Sequence, residues 1–154
     1  MRYFFYGSLT DPDVLAAVLG RRPRLAPASL DGWRRLRVRG ESYPLIVRAA
    51  GERVEGSVAD VGPVDARRLA WYEGDDYLQT ELTVRLAGGK AATARVFAPK
   101  PDLAHADEPW DPVAWARSDK PALLEAARRW MAFEGRKPAN LDAAWHAAQA
   151  PTRR

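Results

Sequence analysis

The chain has 154 residues, a formal net charge of +4 and no cysteine, which excludes disulfide bonds, thiol catalysis and thiolate metal sites. Its length suits one domain with its own core, and it contains no apolar run long enough for a transmembrane helix. The two histidines, His105 and His146, lack metal-ligand spacing, so we expect no metal site. Because no secretory signal pattern is visible at its start, we expect a cytoplasmic protein.

Residues 3–6 are consecutive aromatic residues that run into a Gly7-Ser8 turn. This pattern predicts a strand buried on both faces that ends in a loop with exposed backbone N–H groups. Asp11 and Pro12 predict the N-cap and the first position of a helix, which apolar spacing extends over residues 12–20. Such a strand, turn and helix start can hold an anion or an oxyanion, although an ordinary strand and turn would look the same.

The later strands are predicted from alternating apolar and polar residues or from short apolar runs. They lie at residues 31–39, 43–47, 54–61, 79–86 and 91–98, and the last two form a hairpin around two glycines. Gly56 suits a bulge or a close crossing. Residues 65–72 predict a short helix, and the proline-rich residues 99–109 predict a loop or linker.

Beyond residue 110 the pattern becomes helical. Apolar spacing predicts an amphipathic helix over residues 119–134, closed by Gly135, and a last helix capped by Asn140. Six short strands followed by a helical tail predict an α+β fold, with helices packed on a small mixed sheet or barrel. We expect a single domain over residues 1–154, with a core at about 1–98 and a helical extension at about 110–150.

Seven arginines lie between Arg21 and Arg39. One interpretation is a nucleic-acid-binding surface. The other, which we favour, is an arginine-rich composition on solvated faces, because acidic residues are interspersed along the rest of the chain and no nucleic-acid-binding motif occurs. We therefore do not expect nucleic acid as a partner.

A second group of candidate residues reads Trp-Tyr-Glu-Gly-Asp-Asp-Tyr at positions 71–77. Glu73 lies between aromatic residues at the end of a predicted helix, where partial desolvation would raise its pKa toward that of a useful general base. Tyr77 could offer a hydroxyl group beside it. The alternative is a solvent-facing carboxylate at a glycine-capped helix end. Asp75 and Asp76 suit a solvated turn better than a metal site, because adjacent side chains diverge.

Four short motifs then combine into a larger pattern. They are Tyr-Gly-Ser-Leu at 6–9, Tyr-Pro-Leu-Ile at 43–46, Val-Glu-Gly-Ser-Val at 54–58 and Tyr-Glu-Gly-Asp-Asp-Tyr at 72–77. In this order and spacing the chain resembles the gamma-glutamylcyclotransferase-like family, on the branch that includes gamma-glutamylamine cyclotransferase and many bacterial proteins. The resemblance covers roughly residues 2–98. It implies a small mixed β-barrel flanked by short helices.

The resemblance also implies a function and a site. The activity would be the release of 5-oxoproline from a gamma-glutamyl amine or peptide, an acyl transfer that needs neither a metal nor an organic cofactor. Glu73 would be the catalytic acid/base, and the substrate would be bound by Tyr6, Gly7, Ser8, Leu9 and Tyr77. The partner would be a small gamma-glutamyl molecule, and the oligomeric state is not predicted.

The chain departs from the family at Gln79, where the family commonly has an arginine. A second hypothesis therefore stays open, in which the same fold is a non-catalytic module that binds a small metabolite. The two hypotheses differ in whether 5-oxoproline is produced.

Overall fold

The computed structural model describes residues 1–135, and the predicted helix capped by Asn140 lies outside them, as does His146. The strands are β1 (Arg2–Phe5), β2 (Ala26–Val38), β3 (Pro44–Asp60), β4 (Tyr77–Leu86), β5 (Ala91–Pro99) and β6 (His105–Pro109). The helices are α1 (Pro12–Leu19), α2 (Pro63–Glu73), α3 (Pro112–Ser118) and α4 (Lys120–Met131), with single 3-10 turns at Ser8–Thr10 and Gly74–Asp76. The prediction of one domain over the whole chain stays a prediction.

Five of the strands close into a barrel in the order β3-β1-β5-β4-β2, because β2 also pairs with β3. The barrel is mixed, since β1 runs parallel to β5 and antiparallel to β3. The sixth strand, β6, pairs with the far end of β2 at Leu36 and Val38. The predicted α+β class and mixed barrel with flanking helices are therefore confirmed.

The first strand contributes to two cores at once. Phe4 and Tyr6 pack inside the barrel, whereas Tyr3 and Phe5 pack against the helices. All four are at most 6% exposed, as expected when successive side chains of a strand point to opposite faces. This confirms the prediction of a strand buried on both faces, and it places the turn that follows β1 at the boundary between the two cores.

The first helix begins and ends as predicted. The Asp11 side chain accepts hydrogen bonds from the backbone N–H groups of Asp13 and Val14, and Gly20 ends the helix at a φ of +74°. The ammonium group of Lys120 lies 2.8 Å from a carboxylate oxygen of Asp11 and 2.8 Å from one of Asp13. The capped end of α1 is thereby joined to the start of α4.

Gly56 sits at a close crossing of two strands, one of the two alternatives predicted for it. A Cβ atom at this position would lie 2.1 Å from the carbonyl oxygen of Phe5 and 2.8 Å from the ring of Phe4. Only a residue without a side chain allows β1 and β3 to approach this closely.

Two predictions of local structure are wrong, one helix was not predicted, and one helix is shorter than predicted. The predicted strands at 43–47 and 54–61 are one continuous strand, β3, because β2 pairs along it on both sides of an irregularity near Gly32. The predicted loop at 99–109 contains β6, whose polar sequence is held in a strand by its partner β2. The helix α3 was not predicted, and α4 ends at Met131 rather than at residue 134.

Five of the seven arginines between Arg21 and Arg39 contact carboxylate or carbonyl oxygens of the same chain. They are Arg21, Arg22, Arg35, Arg37 and Arg39.

Within residues 1–135, no helix combines the length and the apolar character needed to cross a membrane.

Candidate active site

A cavity of about 290 Å³ lies where the end of β1, the start of β3 and the end of α2 meet. A volume of this order holds a small metabolite. Its lining comprises Phe4, Phe5, Tyr6, Gly7, Ser8, Leu9, Tyr43, Pro44, Ala70, Trp71, Tyr72, Glu73, Gly74, Asp75, Asp76, Tyr77, Phe97 and Trp130. Three of the four sequence motifs therefore contribute to one cavity, and the fourth contains Gly56, which lets β3 cross close to β1.

The turn after β1 forms one wall of the cavity. A Cβ atom at Gly7 would lie 2.9 Å from the Pro44 ring, so glycine is required for the close approach of this turn to the start of β3. The backbone N–H groups of Thr10 and Asp11 donate to the carbonyl oxygens of Gly7 and Ser8. This one-turn helix leaves the N–H groups of its first residues without an intrahelical acceptor.

Glu73 is the last residue of α2 and lines the same cavity. The helix ends there because Gly74 adopts a φ of +69°. Among residues 1–135 no hydrogen bond or ion pair to the Glu73 carboxylate is found, and burial raises the pKa of this carboxyl from 4.5 to about 8. Loss of water around an unpaired carboxylate disfavours its charged form, so Glu73 can take up and release a proton near neutral pH.

Three tyrosines surround this carboxyl group. Burial raises the pKa of Tyr6, Tyr72 and Tyr77, and the negative charge of Glu73 raises each of them further. These phenols therefore stay neutral at physiological pH and act as hydrogen-bonding groups rather than as bases.

Each of these hydroxyl groups has a fixed partner. The Tyr6 hydroxyl donates to the carbonyl of Phe97 at 2.5 Å, and the Tyr77 hydroxyl donates to the carbonyl of Pro44 at 2.9 Å. The Tyr72 hydroxyl lies 2.8 Å from the Ser8 hydroxyl. The tyrosines thus attach β1, β3, β4, β5 and α2 to one another around the cavity.

The charged residues that line the cavity within residues 1–135 are all acidic. Among the described residues its lining includes the carboxylates of Glu73, Asp75 and Asp76 but no lysine, arginine or histidine. A search of residues 1–135 finds no group of three or more side chains suited to hold a metal ion. An anionic group bound in this cavity would have to rely on backbone N–H and hydroxyl donors.

All six residues predicted for the site lie around this one cavity. Residues 6–9 and Glu73 face it from different elements, and Tyr77 follows at the start of β4. Tyr43 and Tyr72 were not predicted as site residues, although both begin motifs that were noted. Trp130 was missed because nothing in the local sequence of α4 connects it to residues nearly sixty positions earlier.

Trp130 is held in the cavity wall by a reciprocal contact with Trp71. The two rings stack with their centres 5.3 Å apart. The indole N–H of Trp71 donates to the carbonyl of Trp130 at 3.2 Å, and that of Trp130 donates to the carbonyl of Trp71 at 2.9 Å. This pair attaches α4 to the helix that ends in Glu73.

Gln79 lies away from the cavity. Its side-chain oxygen accepts a hydrogen bond from the Tyr3 hydroxyl at 2.8 Å, and it is not among the residues of the cavity wall. The departure from the family at this position therefore leaves the lining of the cavity unchanged.

A family model described as gamma-glutamyl cyclotransferase, AIG2-like, matches residues 3–117. The chain belongs to this family. The match includes every strand of the barrel and ends before α4, so the resemblance inferred from the four motifs is confirmed.

Curated members of the gamma-glutamyl cyclotransferase, AIG2-like family show how far the similarity extends. AIG2-like protein A of Arabidopsis thaliana is 39% identical over 75 residues, which make up 48% of this chain and 46% of that protein. AIG2-like protein C of the same plant is 28% identical over 132 residues, 83% of this chain and 76% of that protein. With AIG2-like proteins A and B the chain aligns over less than half of their length.

Solved structures of similar proteins share the fold. The solution structure of an Arabidopsis thaliana protein is 27% identical, covers 89% of this chain and 93% of its own, and has a TM-score of 0.60. A structure described as gamma-glutamyl cyclotransferase also has a TM-score of 0.60, covering 99% of this chain and 88% of its own at 15% identity. A mouse AIG2-like protein has a TM-score of 0.53 at 21% identity, with 73% and 91% covered.

Proposed function

We propose that this protein releases 5-oxoproline from a gamma-glutamyl amine or peptide by intramolecular aminolysis. The observation that carries the proposal is the position of Glu73. Its carboxyl group, which has a pKa of about 8 and no hydrogen-bond or ion-pair partner within residues 1–135, lies in the same small cavity as the turn at residues 6–9. A proton acceptor and a row of N–H donors are the two components that this reaction needs.

Glu73 would transfer the protons of the reaction. The α-amine of a gamma-glutamyl group reaches the cavity as an ammonium ion, which cannot attack a carbonyl. The ionised Glu73 removes one proton, and the positive charge of the substrate favours that ionised form. The free amine then attacks the side-chain amide carbon, and a ring C–N bond forms. As the oxyanion collapses, the amide C–N bond breaks and the Glu73 carboxyl donates its proton to the leaving amine. The regenerated Glu73 carboxylate then accepts the surplus proton of the ring nitrogen, which becomes the lactam N–H, and passes it to the released amine, which departs as an ammonium ion.

The turn at residues 6–9 would stabilise the oxyanion. The amide oxygen becomes negatively charged in the tetrahedral intermediate, and the backbone N–H groups of Gly7, Ser8 and Leu9 would donate hydrogen bonds to it. In acyl transfer one such donor contributes about 10² to 10³ in rate. Because the nucleophile is part of the substrate, the remaining task is to hold one rotamer in a dry cavity, which the Tyr6 and Tyr77 rings support.

The proposal is tested by assaying 5-oxoproline after incubation with a panel of gamma-glutamyl amines and dipeptides. Glu73→Gln preserves the shape of the side chain and should lower kcat by at least about 10²-fold, because it removes proton transfer. Glu81→Gln, which changes an exposed carboxylate on β4, is the matched control and should retain full activity. Full activity of Glu73→Gln would contradict the role of the carboxyl. Binding to the wild-type protein without product would favour the non-catalytic module.

A further inference from the structure

Arg35 contacts the turn at residues 6–9 from β2. The guanidinium nitrogen Nη1 donates to the carbonyl oxygen of Tyr6 at 2.8 Å and to that of Glu55 at 3.1 Å. We propose that Arg35 is a positioning residue that acts through the peptide group between Tyr6 and Gly7, which it orients and polarises so that the Gly7 N–H becomes a stronger donor. The inference rests on the proposed function, since that N–H is one of the proposed oxyanion donors.

Arg35 differs from its neighbours on β2. Arg34 and Arg37 are exposed, whereas Arg35 is partly buried, and its guanidinium group lies 5.1 Å from the centre of the Trp110 ring. The Arg35 Nε atom is buried and has no hydrogen-bond partner among the described residues. Burial lowers the pKa of Arg35, and the nearby charges of Asp111 and Glu55 oppose that shift. An arginine nonetheless stays charged in a protein.

This placement carries an energetic cost. A partly buried guanidinium group whose Nε has no partner among the described residues loses hydration that its two carbonyl contacts replace only in part. A methionine or leucine would avoid that cost but would leave the carbonyl oxygens of Tyr6 and Glu55 without this donor. The positive charge is thus held against the carbonyl oxygen of the Tyr6–Gly7 peptide group, where it can act on that group.

The effect follows from the electronic structure of the peptide group. A cationic donor on the carbonyl oxygen draws electron density from the nitrogen, and the N–H of the same peptide becomes more acidic and a stronger donor. The Tyr6 carbonyl and the Gly7 N–H belong to one such group. Because the cavity lining has three carboxylates and no cation among the described residues, the Arg35 charge offsets that negative potential from behind the turn.

A purely structural role is the competing explanation, since the same two hydrogen bonds join β2 to the end of β1 and to β3. Three variants separate the roles. Arg35→Met removes the charge, Arg35→Lys keeps it with fewer donors, and Arg37→Met removes an exposed arginine of the same strand that pairs with Glu108. If the positive charge is what matters, Arg35→Lys must retain a higher kcat than Arg35→Met.

The kinetic test measures kcat and KM with the most active gamma-glutamyl compound. Arg35→Met should lower kcat by about 10- to 100-fold and change KM by less than about threefold, because the oxyanion exists only after attack. Arg35→Lys should recover much of that loss, and Arg37→Met should match the wild type. A wild-type kcat for Arg35→Met, or equal losses for the lysine and methionine variants, would overturn the inference.

A second measurement needs no substrate. In the free protein the amide proton of Gly7 should shift upfield in Arg35→Met, with a smaller shift in Arg35→Lys and none in Arg37→Met, as the polarisation weakens. An unchanged Gly7 resonance in a folded Arg35→Met variant would refute the link to the peptide group. If the wild-type protein releases no 5-oxoproline, the proposed function fails, and this spectrum still decides whether Arg35 polarises the turn. If Arg35→Met does not fold, Arg35→Lys provides both readouts.

Discussion

The hydroxyl groups of Ser8 and Tyr72 lie 2.8 Å apart, although the two residues are separated by 64 positions in the chain. Ser8 belongs to the turn after β1, and Tyr72 directly precedes Glu73 at the end of α2. Their contact therefore connects the two walls of the cavity one residue away from the proposed base. This hydrogen bond therefore helps to fix the distance between the Glu73 carboxyl and the turn at residues 6–9.

We expect this hydrogen bond to be measurable as a coupling between the two side chains. Tyr72→Phe and Ser8→Ala each leave the other hydroxyl without this partner, at a cost of about 1–3 kcal/mol in unfolding free energy. The double variant should be less destabilised than the sum, with a coupling of about 1 kcal/mol. Urea titration of the four proteins gives the cycle. Strictly additive losses would mean that the contact contributes nothing in solution.

The proton-transfer role of Glu73 predicts a specific pH profile. For a general base that must be ionised in the free enzyme, kcat/KM rises with pH and levels off above the pKa of the group. The midpoint is expected near pH 8, where burial places the pKa of Glu73. Glu81→Gln should show the same profile as the wild type. A midpoint near 4.5, the ordinary value for a glutamate, would indicate that the carboxyl is hydrated in solution.

The same carboxyl should make stability depend on pH. Folding raises the pKa of Glu73 from 4.5 to about 8, so between these values the native state holds a proton that the unfolded chain has lost. The unfolding free energy therefore falls as pH rises through this window, and the loss is complete above it. Each unit of pKa difference is about 1.4 kcal/mol, which makes the loss on the order of a few kcal/mol.

Glu73→Gln isolates that contribution, because all other titrating groups are common to both proteins. Relative to the wild type, the variant should gain stability as the pH is raised from 5 to 9 in urea titrations. A stability difference that stays constant across this range would show that Glu73 titrates normally. Higher stability of an inactive variant at pH 9 would also separate the loss of activity from a loss of folding.

Gly56 is expected to be the least tolerant glycine of the barrel. In Gly56→Ala the new methyl group would lie 2.1 Å from the Phe5 carbonyl oxygen, so β1 and β3 must separate, at a cost of about 3 kcal/mol or more. Gly62→Ala is the matched control, because nothing lies within 4 Å of the added atom. It should change the unfolding free energy by no more than about 1 kcal/mol. Comparable stabilities for the two variants would contradict the close crossing.

Features that depend on neighbouring residues were predicted well from the sequence. The aromatic run of β1, the Asp11 cap and Gly20 stop of α1, and the hairpin of β4 and β5 all express local chemistry. Backbone propensity, capping and the period of the apolar residues act within a few positions, so they can be read along the chain. The order of the four motifs identified the family for a related reason, because the order and spacing of motifs can be read from the sequence without knowing the fold.

Features that depend on distant partners could not be predicted in this way. The polar residues of β6 form a strand because β2 offers a free edge, and Trp130 reaches the cavity because α4 packs on α2. The contact of Arg35 with Tyr6 likewise arises from packing between segments far apart in the chain. A raised pKa of Glu73 was expected from its aromatic neighbours, but the cavity that buries the carboxyl is formed by distant segments. Burial, hydration and hydrogen-bond partners are properties of the space around a side chain, and that space exists only once the barrel has closed.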